Sequence, residues 1–359
     1  MAARLAVLPD PRDRRGRRHP LTSVLLAAAC AVLAGARSYL AIGQWTRHAP
    51  QDTLARLGFP ARGPLGVRRP ASLSTLRRVL TLVCPGGLAD LLGTDPAGAD
   101  SLAVDGKSAR GSRTDTAPAA HFLSAVTAAG RAVSQLRVPD KTNEITGFTA
   151  LLAPFDLTGT VVTADALHTQ REHAKWLVEA KQAHYLLIVK GNQPALHAAL
   201  KSLPWKEVTA RRYDREAGHG RRETRSVRTL TVTGLGLGFP HVVQAAKILR
   251  HRTDLKTGKV TRQTVHAITD MTPREASPQF IGRLARSQWG IEAVHHIRDV
   301  TFAEDASKIR TGYGPENMAT LRNFAINILR DAGHRSIAAG LREVSYAPFA
   351  RPLDLLALA

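Results

Sequence analysis

Two aspartates stand in the same local setting in this chain. Asp105 closes the apolar run "SLAV" and Asp165 closes "TVVTA". Short β-branched or apolar runs of this kind read as strands. Acids at the ends of neighbouring strands converge above one end of a sheet, where function tends to sit. A carboxylate in such a place is costly unless a cation or a donor compensates it. Mg²⁺ would do so, because it takes oxygen ligands, commonly one or two carboxylates with phosphate and water. A single Asp there is more often a turn or cap residue. Two in equivalent places keep both readings open.

A third candidate acid comes from "WGIEAVHHIRDVTFAEDASKIR", Trp289 to Arg310. Steps of about 100° place Trp289, Glu292, His296 and Asp299 on one helical face. Glu292 then sits between a large aromatic and a histidine. Glu304 and Asp305 fall beyond Thr301 and Phe302, past a bend or near the helix end, and read as solvated or capping. A wholly solvated charged helix is the competing reading. His219, His295 and His296 raise zinc, but neighbouring helical side chains diverge by about 100°. Cys30 and Cys84 are the only cysteines and form no CxxC pair, which argues against a zinc site.

These acids need a sheet and a helix to hold them. "SLAVDG", "HFLSAVTAAGRAVSQLRV" with a hairpin at Ala129-Gly130, "GTVVTADA" and "HYLLIVKG" read as strands. "NEITGFTALLAPF" and "HTQREHAKWLVEAKQ" read as helices. That order fits a mixed α/β sheet with flanking helices. From about 191 to 280 the pieces turn Arg-rich and strand-like, with a turn at "KTGK", and read as a β-rich insertion. Residues before about 97 read as a small helical unit. The division is therefore 1–97 helical, 98–335 the sheet-bearing unit with its insertion, and 336–359 a C-terminal tail.

Arg12 to Arg18 followed by the apolar stretch Leu21–Ala36 imitates a secretory leader. The stretch is short for a membrane span and continues as an amphipathic helix, so a buried helix and a cytoplasmic protein are expected. The 359 residues carry 50 Lys and Arg against 29 Asp and Glu, a formal charge of +21. Such a charge calls for a polyanionic partner, nucleic acid before others.

With these residues in view, the chain resembles the DDE transposases of bacterial insertion sequences, in the ISAs-type group that includes H-repeat-associated proteins. "DPRDRRGRRHPLTSVLLAAACAVLAGARSYLAIGQW" looks like that group's N-terminal domain, and "AVDGKSARGS" like its first catalytic motif. "DKTNEI", "TADALHTQ", "LIVKGNQ", "HGRRETR" and "RSQWGIEAVHHIRDVTFAEDASKIR" follow in the group's order. The group usually has His-Trp where Gln288-Trp289 stands, Asn where Ala293 stands and Trp where Ile297 stands.

The resemblance implies an RNase H-like core with Asp105, Asp165 and Glu292 as catalytic acids and metal ligands. Trp289, His296 and Asp299 would support them. It further implies two Mg²⁺ ions, with Mn²⁺ able to substitute. One would activate water or a DNA 3′-hydroxyl and the other would stabilise the leaving oxygen. Ser108 is then no nucleophile. Phosphate contacts are expected from Lys107, Lys190, His219, Arg221, Arg222, Arg286, Lys308 and Arg310, on double-stranded DNA at element ends and target. A homodimer on DNA, no membrane and association with the nucleoid complete the expectation. A metal-dependent nuclease of the same fold and a catalytically silent DNA-binding derivative are the alternatives.

Overall fold

A computed structural model describes residues 1–140, 142–218 and 220–358. His219, expected above to touch phosphate, lies outside them.

The chain begins with helices: α1 (Ala2–Leu5), α2 (Leu21–Leu33), α3 (Tyr39–His48), α4 (Gln51–Arg56), α5 (Leu73–Leu82) and α6 (Pro85–Leu92). A small hairpin, β1 (Ala61–Arg62) with β2 (Val67–Arg68), sits between α4 and α5. α2 has no charged residue, and all its residues except Thr22 are buried. The leader-like stretch is therefore the central helix of a core, as its continuation into α3 suggested. Among the described residues no helix is long and apolar enough to cross a membrane.

Strands follow: β3 (Ser101–Ala109), β4 (Ala120–Thr127), β5 (Ala132–Val138), β6 (Val161–Ala164) and β7 (His184–Val189). α7 (Glu144–Leu152) and α8 (Arg171–Lys175) lie between them. The β4–β5 turn contains Gly130 at φ 77, a conformation open to glycine. α9 (Pro194–Ser202) then leads into β8 (Arg211–Gly218), β9 (Arg221–Thr231), β10 (Gln244–Asp254) and β11 (Val260–Thr269). α10 (Pro278–Val300), α11 (Gly314–Asp331), α12 (Ile337–Ser345) and α13 (Arg351–Leu355) end the described chain.

All nine long strands form one sheet in the order β5-β4-β3-β6-β7-β11-β10-β9-β8. β3, β6 and β7 are parallel, and the other pairs are antiparallel. Strands β3 to β7, with β4 and β5 folded back on β3, make the RNase H-like arrangement. The Arg-rich region is strand-rich as read, but it opens with a helix, α9. It also widens the same sheet, because β11 pairs with β7 from His266↔Val189 to Thr269↔Leu186.

The stretch after 336 is no loose tail. α12 and α13 contribute Ile337, Leu341, Val344 and Leu353 to the core built on α2. Trp45 Nε1 donates to Pro348 O (3.0 Å) and Thr53 Oγ1 to Phe349 O (3.1 Å). The same core takes in Ala103 and Val126 of the sheet and Ile291 of α10, so apolar packing runs without a break from the helical unit to the strands.

Candidate active site

The register of β3 against β6 sets the first two acids. These strands pair in parallel from Ser101↔Val161 to Val104↔Ala164. The next residue on each is Asp105 and Asp165. β3 does not stop there, contrary to the reading of Asp105 as a strand end; it runs on to Ala109 against β4 alone. The parallel pairing ends, and the two aspartates stand side by side where it ends. Asp165 also starts a 3₁₀ turn, accepting from the Leu167 N–H at 2.9 Å. The residue expected in the site is also a cap.

α10 brings in the third. Its N-terminus is capped by Ser277, which accepts from the Phe280 N–H at 3.3 Å, with Pro278 in the first turn. Gln288 is buried under the acids. It accepts from Thr163 Oγ1 at 2.6 Å and donates to Val104 O at 3.2 Å. One amide thus ties α10 to β6 and β3 within two residues of each aspartate. Glu292, one turn on, reaches a cavity of about 180 Å³ lined by Asp105, Asp165, Glu292, Lys190, Arg250 and Trp289. The Trp289 ring carries Arg250 and Arg225 at 4.7 and 5.5 Å from its centroid. Both arginines are held by Glu223, so the aromatic couples the sheet extension to α10.

Burial pushes Asp105 up to about 6, against the Gly106 N–H, and the charges of Asp165, Glu144 and Glu292 add to the rise. Among the described residues no Lys or Arg pairs with Asp105; its neighbour is His295, 3.7 Å away. Burial holds His295 down at about 3, helped by Arg298 and Lys107, so it stays neutral. His295 is therefore the histidine beside the acids, and His296 is exposed. From Glu292 the i+3 and i+4 positions fall about 60° and 40° to either side, and periodicity alone does not choose between them.

Glu144 is a residue the sequence reading quoted within "DKTNEI" without a role. It takes His121 Nε2 at 2.6 Å and His168 Nε2 at 3.2 Å. Burial would raise it, but those two histidines hold it at about 2. Its carboxylate lies so close over β3 that a Cβ at Gly106 would collide with it, which gives the glycine after Asp105 a reason. His121 Nδ1 shares a hydrogen bond with Ser108 Oγ at 2.8 Å. Only the Asp-Gly pairing hinted at this cluster.

A second group of acids lies just beyond. Glu304, read as solvated, is 1 % exposed. It accepts from Arg298 Nη2 at 2.7 Å and Arg322 Nη1 at 2.9 Å. Burial pushes it up, yet the two guanidiniums outweigh that and hold it at about 2. Lys107, expected to touch phosphate, is buried instead, 2.6 Å from Asp299 and 3.4 Å from Asp305. Asp299 therefore serves Lys107, and Asp305 also receives the Arg110 N–H at 3.1 Å.

The remaining basic candidates scatter. Lys190 is exposed on the acid-lined cavity. Arg222 is exposed on β9, while Arg221 lies 4.0 Å from Glu223 and Arg286 3.5 Å from Asp214. Lys308 and Arg310 are exposed but line a different cavity, against the N-terminal helices.

The donor chemistry suits a hard divalent cation: three oxygen acids line one cavity, and among the described residues none of them has a Lys or Arg partner. At rest they are not gathered as a ready-made set. Among the described residues no group of three or more His, Cys, Asp or Glu is close enough to hold a metal.

Comparison with known proteins gives a consistent picture. Residues 96–328 match the family described as a transposase DDE domain, and residues 2–94 the one described as DDE_Tnp_1-associated. YncI of Escherichia coli O157:H7, named as a transposase, is 29% identical over 91% of this chain and 86% of its own. YhhI of E. coli K12, named as an H repeat-associated transposase, is 28% identical over 94% and 92%. YbfD of the same strain is 30% identical over 62% of this chain and 90% of its own. A solved piggyBac transposase synaptic complex with hairpin DNA covers 80% of this chain and 57% of its own at 12% identity and a TM-score of 0.40, too distant to carry an argument.

Proposed function

The chain belongs to the transposases with a DDE domain, and on that premise we propose that it cuts the ends of an insertion element and joins them to target DNA by metal-assisted phosphoryl transfer. The observation that carries this is the β3–β6 register. It sets Asp105 beside Asp165 at the end of the parallel pairing, with Glu292 of α10 on the same cavity. A divalent cation, Mg²⁺ or Mn²⁺, would when bound supply the charge that activates water or a 3′-hydroxyl and stabilises the leaving oxygen. Asp105, Asp165 and Glu292 would hold it. Lys190 and Arg250 on the rim would meet phosphate, and Trp289 would keep Arg250 aimed there. Neutral His295 leaves the Asp105 carboxylate free to ligate. No covalent protein–DNA link is required, and Ser108 is spoken for by His121.

The partner is duplex DNA, with two copies of the chain bringing two ends together at the nucleoid. The division into a helical unit to 97, a catalytic unit from 98 to 335 and the docked C-terminal segment belongs to the same proposal.

Cleavage of a labelled end fragment with Mg²⁺ tests it, beside a gel shift of the same fragment. Glu292→Gln, Asp105→Asn and Asp165→Asn should each lose more than about a thousandfold in cleavage, non-additively, as residues acting as one unit do. Binding should persist. Wild-type cleavage by Glu292→Gln would sink the assignment.

A further inference from the structure

Away from the acids, the N-terminal helices form a second concave surface. A cavity of about 750 Å³ is lined by Arg15, Arg18, Arg62, Arg69 and Arg78. Another of about 690 Å³ is lined by Arg77, Lys308 and Arg310. Ser72 and Ser74 line both, so the two adjoin. No Asp or Glu lines either one, and among the described residues none of these eight cations has a carboxylate partner. The arginines of the sheet extension differ. Arg212, Arg221, Arg225 and Arg250 are interleaved with Asp214, Glu216 and Glu223 and pair with them.

The surface is held in shape. Arg62 donates to Arg18 O at 2.5 Å, tying the β1–β2 hairpin to the basic arm. Gln51 brackets Arg68, with Nε2 on its carbonyl at 3.0 Å and Oε1 on its N–H at 2.7 Å. On the far side, Arg310 Nε donates to Gly111 O at 3.3 Å, just past β3. The segment carrying Lys308 and Arg310 is thereby anchored to the strand that carries Asp105.

We propose that this arginine-walled surface, from Arg15 to Arg310, is a track for the phosphate backbone of duplex DNA, distinct from the acid-lined cavity and leading toward it. The proposal rests on the reading that the chain acts on DNA. A row of cations with no acid among them follows a polyanion's backbone, not its bases. Single-stranded binders add aromatic platforms for stacking bases; Tyr39 is the only Phe, Tyr or Trp lining the two cavities. The walls therefore suit a duplex, with its bases turned inward.

The experiment measures duplex binding by the full chain against salt, with arbitrary sequence and no metal. Arg15, Arg18, Arg69 and Arg78 are exposed, so changing all four to Gln spares the core. Each phosphate contact contributes about 0.9 to the log–log slope. The quadruple variant should flatten the slope by about 3.6 and weaken binding to all sequences alike. A control changing Arg4, Arg274, Arg335 and Arg342, also exposed, removes the same charge outside the track and should leave the slope nearly wild-type. Equal slopes for the two quadruple variants, with wild-type binding intact, overturn the track alone. Loss of single-strand but not duplex binding also overturns it. A wild-type protein that shows no salt-dependent duplex binding overturns both the track and the reading beneath it.

Discussion

Glu292 and Glu304 lie on either side of the end of α10, and the chain treats them in opposite ways. Glu292 is exposed on a cavity shared with Asp105 and Asp165, and no Lys or Arg among the described residues pairs with any of the three. Glu304 is sealed in the core, gripped by Arg298 and Arg322, with Lys107 and Asp299 paired alongside. Both clusters concentrate acids, the first at a half-open cavity and the second in the core. One brings its own cations and the other leaves the place open. An acid cluster that is compensated internally is architecture; one left uncompensated favours a cation from outside. The contrast also explains Asp105 and Glu304 themselves, since one carboxyl is pushed up to about 6 and the other held at about 2.

The comparison can be broken in three places beyond the cleavage test, taken from the largest effect down. Glu304→Ala leaves Arg298 and Arg322 buried without a counter-charge, and removing one partner of a buried pair costs about 3–5 kcal/mol. Denaturant unfolding should show that loss, while Glu292→Gln should unfold like wild type. Equal stability of the two variants would erase the distinction.

Stability against pH should separate the clusters by sign. The Glu304 carboxyl is held below its ordinary 4.5, so its contribution is present above that pH and is lost as pH falls toward about 2. Asp105 is raised from 3.8 to about 6, so folding favours its protonated form. Its contribution is fully present below about 4 and is lost as pH rises through 6. In chelator-treated buffer that loss is on the order of 2–3 kcal/mol. Melting temperatures of wild type and Asp105→Asn across pH 3 to 8 should converge at the acid end, draw apart between about 4 and 6 and stay apart above it, the variant being the more stable. A variant less stable than wild type at pH 7 would reverse the argument.

The smallest effect concerns Gln288. Gln288→Ala cuts the ties to Thr163 and Val104, and losses of this supporting kind run to about 10–100-fold in metal affinity or activity. The Mn²⁺ concentration for half-maximal cleavage should rise accordingly, and direct Mn²⁺ binding should weaken with it. Thr163→Val should fall between. An unchanged Mn²⁺ requirement would reduce Gln288 to packing.

How far the sequence discloses these arrangements depends on the range of the force involved. The apolar runs before Asp105 and Asp165 and the turns at Ala129-Gly130 and "KTGK" are local signals, and the strands and hairpins lie where they say. The pairing of β11 with β7 joins residues far apart in the chain, and nothing in "HAITDM" announces its partner. Glu304 reads as solvated because it falls beyond Thr301 and Phe302, past a bend or near the helix end; Arg322, which helps bury it, is supplied by another helix. Lys107 reads as a phosphate contact, until Asp299 and Asp305 arrive from across the fold. Choosing His295 over His296 needed the true tilt of α10 on the sheet. Glu144 could have been suspected only from the glycine that makes room for it.

The docking of α13 also has a consequence in time. Trp45 and Arg56 bond to Pro348 and Leu358, partners 303 and 302 residues away. Ribosomes add about 5–20 residues each second, so these early helices wait roughly 15 to 60 seconds for the segment that completes their packing. Until it emerges, the apolar α2 must be shielded in some other way. The helical unit is therefore finished as a folded object only after the segment from Pro348 to Leu358 has left the ribosome.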